Sequence, residues 1–200
     1  ASRTRAGARL FEESPVEADL VSGVPDSGVV AAMGYAEASH LPYAQTLIKN
    51  KYVGRSFIAP SQELRERAVQ VKLNVLKSNV DGKRIILIDD SIVRGTTSRR
   101  LVSMLRRAGA KEVHFRVASP PVRFPCYFGL DTPTRDELAG SRSVEEIRQM
   151  IGADTLAYLS TEGLLASLGT PRSFCTGCFT GVYPVAAPVE QEKLAMEQRK

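Results

Sequence analysis

The residues best suited to chemistry in this 200-residue chain lie in one run, Leu87-Ile88-Asp89-Asp90-Ser91-Ile92-Val93-Arg94-Gly95-Thr96-Thr97-Ser98. Two adjacent carboxylates follow a stretch of aliphatics, and a glycine with three hydroxyl side chains follows them. Asp89 and Asp90 repel a phosphate, but they accept hydrogen bonds from sugar hydroxyls or hold a Mg²⁺ that bridges to phosphate oxygens. Gly95 permits a close backbone approach, and the N–H groups that open a helix bind phosphate well. One stretch thus offers acceptors for a sugar and donors for a phosphate. The same residues also suit a plainer arrangement, an aspartate pair capping the next helix with a Gly/Thr turn behind it. The G-x-x-x-x-G-K-[ST] phosphate loop is absent.

Cys175-x-x-Cys178 has a metal or redox spacing. A redox pair opens a helix after a strand, whereas this one lies between Pro171 and Pro184 in a glycine-containing, irregular stretch that suits ligation better. Cys126 supplies a third thiol, and a closed zinc or iron–sulfur site takes four ligands. Three free thiols are the alternative. His40 and His114 are far apart and form no constellation for nucleophilic catalysis, so both are expected to be structural.

The elements that must position these residues follow from periodicity. Residues 84–90 carry four consecutive aliphatics, three of them β-branched, and predict a strand buried on both faces, as in a parallel sheet. Further strands are expected at 18–24, 43–48, 112–118 and 155–159. Helices are expected at 1–16, at 29–39 with small residues on one side, at 97–108 closed by Gly109, at 144–151 and at 161–168. Apolar positions at Leu64, Ala68, Val71, Val75 and Leu76 predict another helix over 64–78. Residues 80–83 form a turn, 49–62 a polar loop, and 121–142 an irregular stretch. Strands alternating with helices define an α/β class with a mainly parallel sheet. One domain is expected over 1–184, with a polar tail or helix over 185–200.

Hydrophobic residues make up 43% and charged residues 24%, which excludes a disordered or collagen-like chain. No apolar run is long enough to span a bilayer and no signal-peptide pattern opens the chain, so no membrane partner and a cytoplasmic setting are expected. The chain begins Ala1-Ser2-Arg3, which suggests a fragment of something longer. The net charge of +5 is uneven: residues 49–135 carry +11 and the remainder −6. A concentrated block of that sign calls for an anionic ligand.

The 87–98 run resembles the phosphoribosyl-pyrophosphate (PRPP) loop of the type I phosphoribosyltransferases. Val24-Pro25-Asp26-Ser27-Gly28, the run from Leu47 through Lys49-Asn50-Lys51-Tyr52-Val53-Gly54-Arg55 to Ile58, Ser119-Pro120-Pro121, Cys126-Tyr127-Phe128-Gly129, Tyr158-Leu159-Ser160 and Cys175-Thr176-Gly177-Cys178 extend the likeness in one order. Together they resemble the phosphoribosyltransferase half of the amidophosphoribosyltransferase family, from about Arg3 to about Pro184. That family's glutaminase domain, with its N-terminal cysteine nucleophile, has no counterpart in these 200 residues.

The resemblance implies a type I phosphoribosyltransferase fold, a mainly parallel twisted sheet flanked by helices with a mobile active-site loop. It implies transfer of ammonia to C1 of PRPP with loss of pyrophosphate, the first committed step of purine synthesis, glutamine-dependent only in an intact enzyme. Ser27, Asp89 and Asp90 correspond to the surroundings of the Mg²⁺ of bound PRPP. Asp89, Asp90, Ser91, Arg94, Gly95, Thr96 and Thr97 correspond to the PRPP-binding residues. The stretch 49–58 corresponds to the mobile loop: Lys49, Lys51 and Arg55 would meet the pyrophosphate, and Tyr52 and Phe57 would wall off water and line the ammonia path. Lys49, Tyr52 and Arg55 are the catalytic candidates. The family commonly has Arg and Thr where this chain has Lys51 and Ser56, and lysine lacks the bidentate geometry of arginine. In the cluster-bearing branch, equivalents of Cys126, Cys175 and Cys178 hold a structural four-iron four-sulfur (4Fe-4S) cluster, with a fourth cysteine upstream of the P-D-S-G turn. Purine nucleotides as feedback inhibitors and a homo-oligomer are implied too. Two other classes stand beside this reading. A regulator on the same fold would bind PRPP as an effector and nucleic acid through the basic block, although a nucleic acid fits that block less well than a doubly phosphorylated sugar. A bare iron–sulfur or zinc module would leave Asp89 and Asp90 unexplained.

Overall fold

The computed structural model describes residues 1–50, 73–129, 138–169 and 174–186. Four strands form a parallel sheet: β1 (Leu20–Gly23), β4 (Arg84–Asp89), β5 (Glu112–Val117) and β6 (Thr155–Tyr158), side by side in that order. A separate antiparallel pair joins β2 (Leu47–Lys49) to β3 (Leu73–Val75). The helices are α1 (Ser2–Glu13), α2 (Val29–Ser39), α3 (Lys77–Val80), α4 (Thr96–Arg107), α5 (Val144–Ile151), α6 (Thr161–Leu168) and α7 (Gly177–Thr180), with a 3₁₀ turn at Ala139–Ser141.

The expected α/β class with a parallel sheet is what forms. β4 is central, paired with β1 on one side and β5 on the other. Its four aliphatics divide between the two faces as strand alternation requires. Ile85 and Leu87 join Val113, Phe115, Leu101, Leu105 and Ile147 beneath α4 and α5. Ile86 and Ile88 join Val21, Leu10, Ala32 and Tyr35 beneath α1 and α2. The small residues of α2 let α1 approach closely: a side chain at Gly7 would strike the Ala31 carbonyl, and one at Gly34 the Thr4 carbonyl.

Two expected elements differ. The helix predicted over 64–78 gives way at its C-terminal end to β3, where Leu73, Asn74 and Val75 pair with Lys49, Ile48 and Leu47. The apolar positions Leu73 and Val75 alternate with exposed Asn74, a period of two rather than 3.6, and the strand bonds come from residues distant in the chain. Residues 51–72 lie outside the described residues, as do 130–137, 170–173 and 187–200. The strand expected at 43–48 begins only at Leu47, with Tyr43 touching the main sheet through a single bridge to Val21.

His40 ends α2 in a left-handed conformation, and buried His114 sits between Glu112 and the Thr155 hydroxyl at 3.1 Å from each. Burial, then Arg116, lowers the His114 pKa. Buried Arg116, which no local pattern in the sequence marks, donates to the Ser14 carbonyl at 3.1 Å and the Thr155 hydroxyl at 2.9 Å, tying the end of α1 to the sheet. α5 opens on a capping box between Ser143 and Glu146. Ser143→Ala is expected to cost about 1 kcal/mol, read as a drop of roughly 2–4 °C in the thermal midpoint.

Candidate active site

The strands of the sheet end together, and the connections leaving β1 and β4 build one cleft of about 400 Å³. Its walls include Val24, Pro25 and Ser27 after β1, the run from Asp89 to Ser98 after β4, and Leu73 of β3. Ligands of open α/β sheets bind at this carboxyl edge.

Asp89 is the last residue of β4 and is only 7% exposed, while Asp90, one residue on, faces solvent. The Asp89 carboxylate accepts from the Asp90 backbone N–H at 2.9 Å and the Ser27 hydroxyl at 3.5 Å. Burial pushes its pKa up to about 7, and the charge of Asp90 adds to the rise, against the relief those hydrogen bonds give. Ser91 donates to Asp90 at 3.3 Å. The Pro25–Gly28 turn brings Ser27 against Asp89. Gly28 makes this possible, because a side chain there would strike the Ile88 carbonyl, which accepts from the Val24 N–H at 2.8 Å. The peptide bond between Pro25 and Asp26 is cis.

The aspartates do not cap α4. Its N-cap is Gly95, at φ 80°, which has no side chain to bond the first N–H groups of the helix. Arg94, Gly95, Thr96 and Thr97 at this helix start all line the cleft. The helix dipole adds positive potential there. The cleft thus sets an acidic wall of oxygen donors, Ser27, Asp89 and Asp90, beside the start of α4. That donor set is all oxygen and includes a carboxylate whose charge is costly when buried, which fits a hard divalent cation such as Mg²⁺.

Lys49 ends β2, and its ammonium pairs with Asp26 at 2.6 Å, beside Ser27. Tyr52 and Arg55, with Lys51, Ser56 and Phe57, lie outside the described residues. Asp26 was legible only through its place beside Ser27 in the Pro25–Gly28 turn.

The three cysteines come to one corner of the molecule. The Arg123 and Phe124 N–H groups donate to the Cys178 carbonyl at 2.9 and 3.0 Å, and the Tyr183 hydroxyl to the Pro125 carbonyl at 2.6 Å. Burial raises the Cys178 pKa, and Cys126 and then Cys175 push it further. Among the described residues no three His, Cys, Asp or Glu side chains are gathered as a metal site. Cys178 lies within the short helix α7, where an irregular stretch was expected.

Three cations of the basic block pair with carboxylates from outside it. Arg84 bonds Asp19 at 3.0 Å, and this holds the Asp19 carboxyl below its ordinary pKa. Arg106 pairs with Asp154, and Lys49 with Asp26.

Residues 4–119 match the phosphoribosyl transferase domain family, and the chain belongs to it. Within that class it is similar to amidophosphoribosyltransferases. It is 57% identical to that of Archaeoglobus fulgidus over 95% of its own length and 42% of the relative's. It is 58% identical to that of Bacillus subtilis, over 92% of this chain and 40% of the relative. The solved B. subtilis glutamine PRPP amidotransferase, complexed with ADP and GMP, superposes with a TM-score of 0.82 over 92% of this chain and 42% of that one. The chain therefore spans about two fifths of the length of these relatives. Among the described residues no helix is long and apolar enough to cross a membrane.

Proposed function

We propose that this chain is the PRPP-binding, transferring part of an amidophosphoribosyltransferase, joining ammonia to C1 of PRPP as pyrophosphate leaves. The observation that carries the reading is the pairing, in one cleft, of the Asp89–Asp90 acidic wall with the glycine-led start of α4. The α4 N–H groups, Thr96, Thr97 and Arg94 bind the 5′-phosphate. Asp89 and Asp90 accept from the ribose hydroxyls and, with Ser27, would hold Mg²⁺. A bound Mg²⁺ supplies charge neutralisation on the departing pyrophosphate. As the C1–O bond breaks and the C1–N bond forms, negative charge collects on the pyrophosphate, and Lys49, with Arg55 from outside the described residues, lowers the barrier by lying beside it. Tyr52 has the task of excluding water, since water at C1 would hydrolyse PRPP.

The acidic pair in the cleft, Asp89 and Asp90, weighs against a nucleic-acid-binding regulator, since a phosphate backbone has no use for it. The ADP and GMP of the B. subtilis structure support purine nucleotides as inhibitory ligands here too. Cys126, Cys175 and Cys178 would supply three ligands of a 4Fe-4S cluster joining the segments around 123–128 and 174–183, a structural role. Anaerobic reconstitution should then give about four irons per chain when a fourth ligand is available, and Cys178→Ser should lose them.

The function is tested by thermal denaturation. PRPP with Mg²⁺ should raise the midpoint by several degrees, as a ligand at about 100 times its Kd stabilises by roughly 2.7 kcal/mol. Ammonia should then elicit pyrophosphate release. A folded chain whose midpoint ignores PRPP and Mg²⁺ overturns the reading.

A further inference from the structure

We propose that Asp26 is a positioning residue that acts through Lys49, holding the ammonium at the mouth of the cleft and exchanging it against the incoming pyrophosphate group. This rests on the PRPP reading of the same cleft. Asp26 lies in the turn between Pro25 and Ser27, both of which line the cleft. Lys49 pairs in the β2–β3 register with Leu73, which also lines it. The 2.6 Å ion pair therefore ties together, across 23 positions of sequence, two segments whose neighbouring residues line the cleft.

Both side chains are substantially exposed, 44% for Lys49 and 67% for Asp26. Exposed pairs of this kind contribute little to stability, so its consequence is electrostatic and local. In the free protein the Asp26 carboxylate cancels the cation that faces the leaving group. A multiply charged anion must draw Lys49 away from Asp26 or bind beside a pair of no net charge. Asp26 therefore weakens the hold on pyrophosphate, and through it favours release after the C1–O bond has broken. A carboxylate that contacted the cation or the sugar directly would have the opposite effect on binding.

The test is calorimetric titration of the full 200-residue chain with inorganic pyrophosphate in the presence of Mg²⁺. The variants are Asp26→Asn, Asp26→Glu, Lys49→Met and the double variant Asp26→Asn with Lys49→Met. Asp26→Asn should tighten binding by about three- to fivefold, the range of an exposed ion pair. Asp26→Glu should restore the original affinity, and Asp26→Asn should have no effect in the Lys49→Met background. Weaker or unchanged binding in Asp26→Asn overturns the proposal, as does an equal effect with and without Lys49. Pyrophosphate binding that is absent from the unsubstituted chain overturns both this proposal and the PRPP reading, whereas binding without the Asp26 effect leaves the latter standing.

Discussion

Asp89→Asn should abolish the PRPP-dependent rise in thermal midpoint and, without ligand, make the chain more stable at pH 8 than the unsubstituted protein. The two effects have one cause. Asp89 ends a strand that is buried on both faces, so its carboxylate is desolvated and stands beside Asp90. Its pKa is about 7 in the folded chain against 3.8 as the ordinary value. The folded state therefore binds this proton more tightly than the unfolded state. Stability from this group is greatest below about pH 4, falls as pH rises towards 7, and is level above that. The ionised carboxylate costs up to ~4 kcal/mol. Asparagine keeps the shape and accepts from the Asp90 N–H but never ionises. Denaturant titrations at pH 5 and pH 8 in a chelator should show the unsubstituted chain losing stability with pH more steeply than the variant. Loss of a charged group that acts on the transition state lowers rates by roughly 100- to 1,000-fold, so pyrophosphate release in the presence of ammonia should fall by at least that much. Equal pH slopes in the two proteins would show that Asp89 is not strained by its burial.

The contrast between Asp89 and Asp90 explains what could be read without coordinates. The two residues are identical in type and adjacent in the chain, so composition and motif assign them together. Their difference is one of register: Asp89 is the last residue paired to β5, opposite Val117, and Asp90 is the first beyond the ladder. The run from Ile85 to Thr97 was legible because its strand, acidic pair, glycine and helix are contiguous, and each local preference agrees with the fold. The alternative of an aspartate cap was settled only by Gly95 standing at the N-cap. β3 was misread because Val75 and Leu76 suit a helical stripe with Leu64, Ala68 and Val71, while the ladder that claims Leu73 and Val75 comes from β2. Such pairing depends on partners that no local window contains. The Asp26–Lys49 contact was hidden for the same reason. Cys126, Cys175 and Cys178 were legible as ligand types, but spacing alone says nothing of how closely their sulfurs approach.

Gly95→Ala should weaken PRPP binding at least about tenfold while leaving the fold intact. Gly95 has φ 80°, a conformation that costs a residue with a side chain about 1–2 kcal/mol. An added Cβ would also strike the terminal methyl of Met150 from α5, which packs beneath the loop. The methyl is the far end of a flexible side chain and can turn aside; the backbone angle has no such escape. The loop from Ser91 to Thr97 would therefore relax towards negative φ and swing the first N–H groups of α4 away from the phosphate position. The double variant Gly95→Ala with Met150→Ala separates the two causes. It removes the steric clash and keeps the backbone strain, so PRPP affinity should remain low. Recovery of affinity in the double variant would assign the loss to Met150 packing instead. Binding is read by calorimetry with PRPP and Mg²⁺, and the thermal midpoint of the free variants guards against unfolding. A phosphate held by side chains alone would leave Gly95→Ala binding as the unsubstituted chain does, and the α4 N–H groups would then have no part in the site.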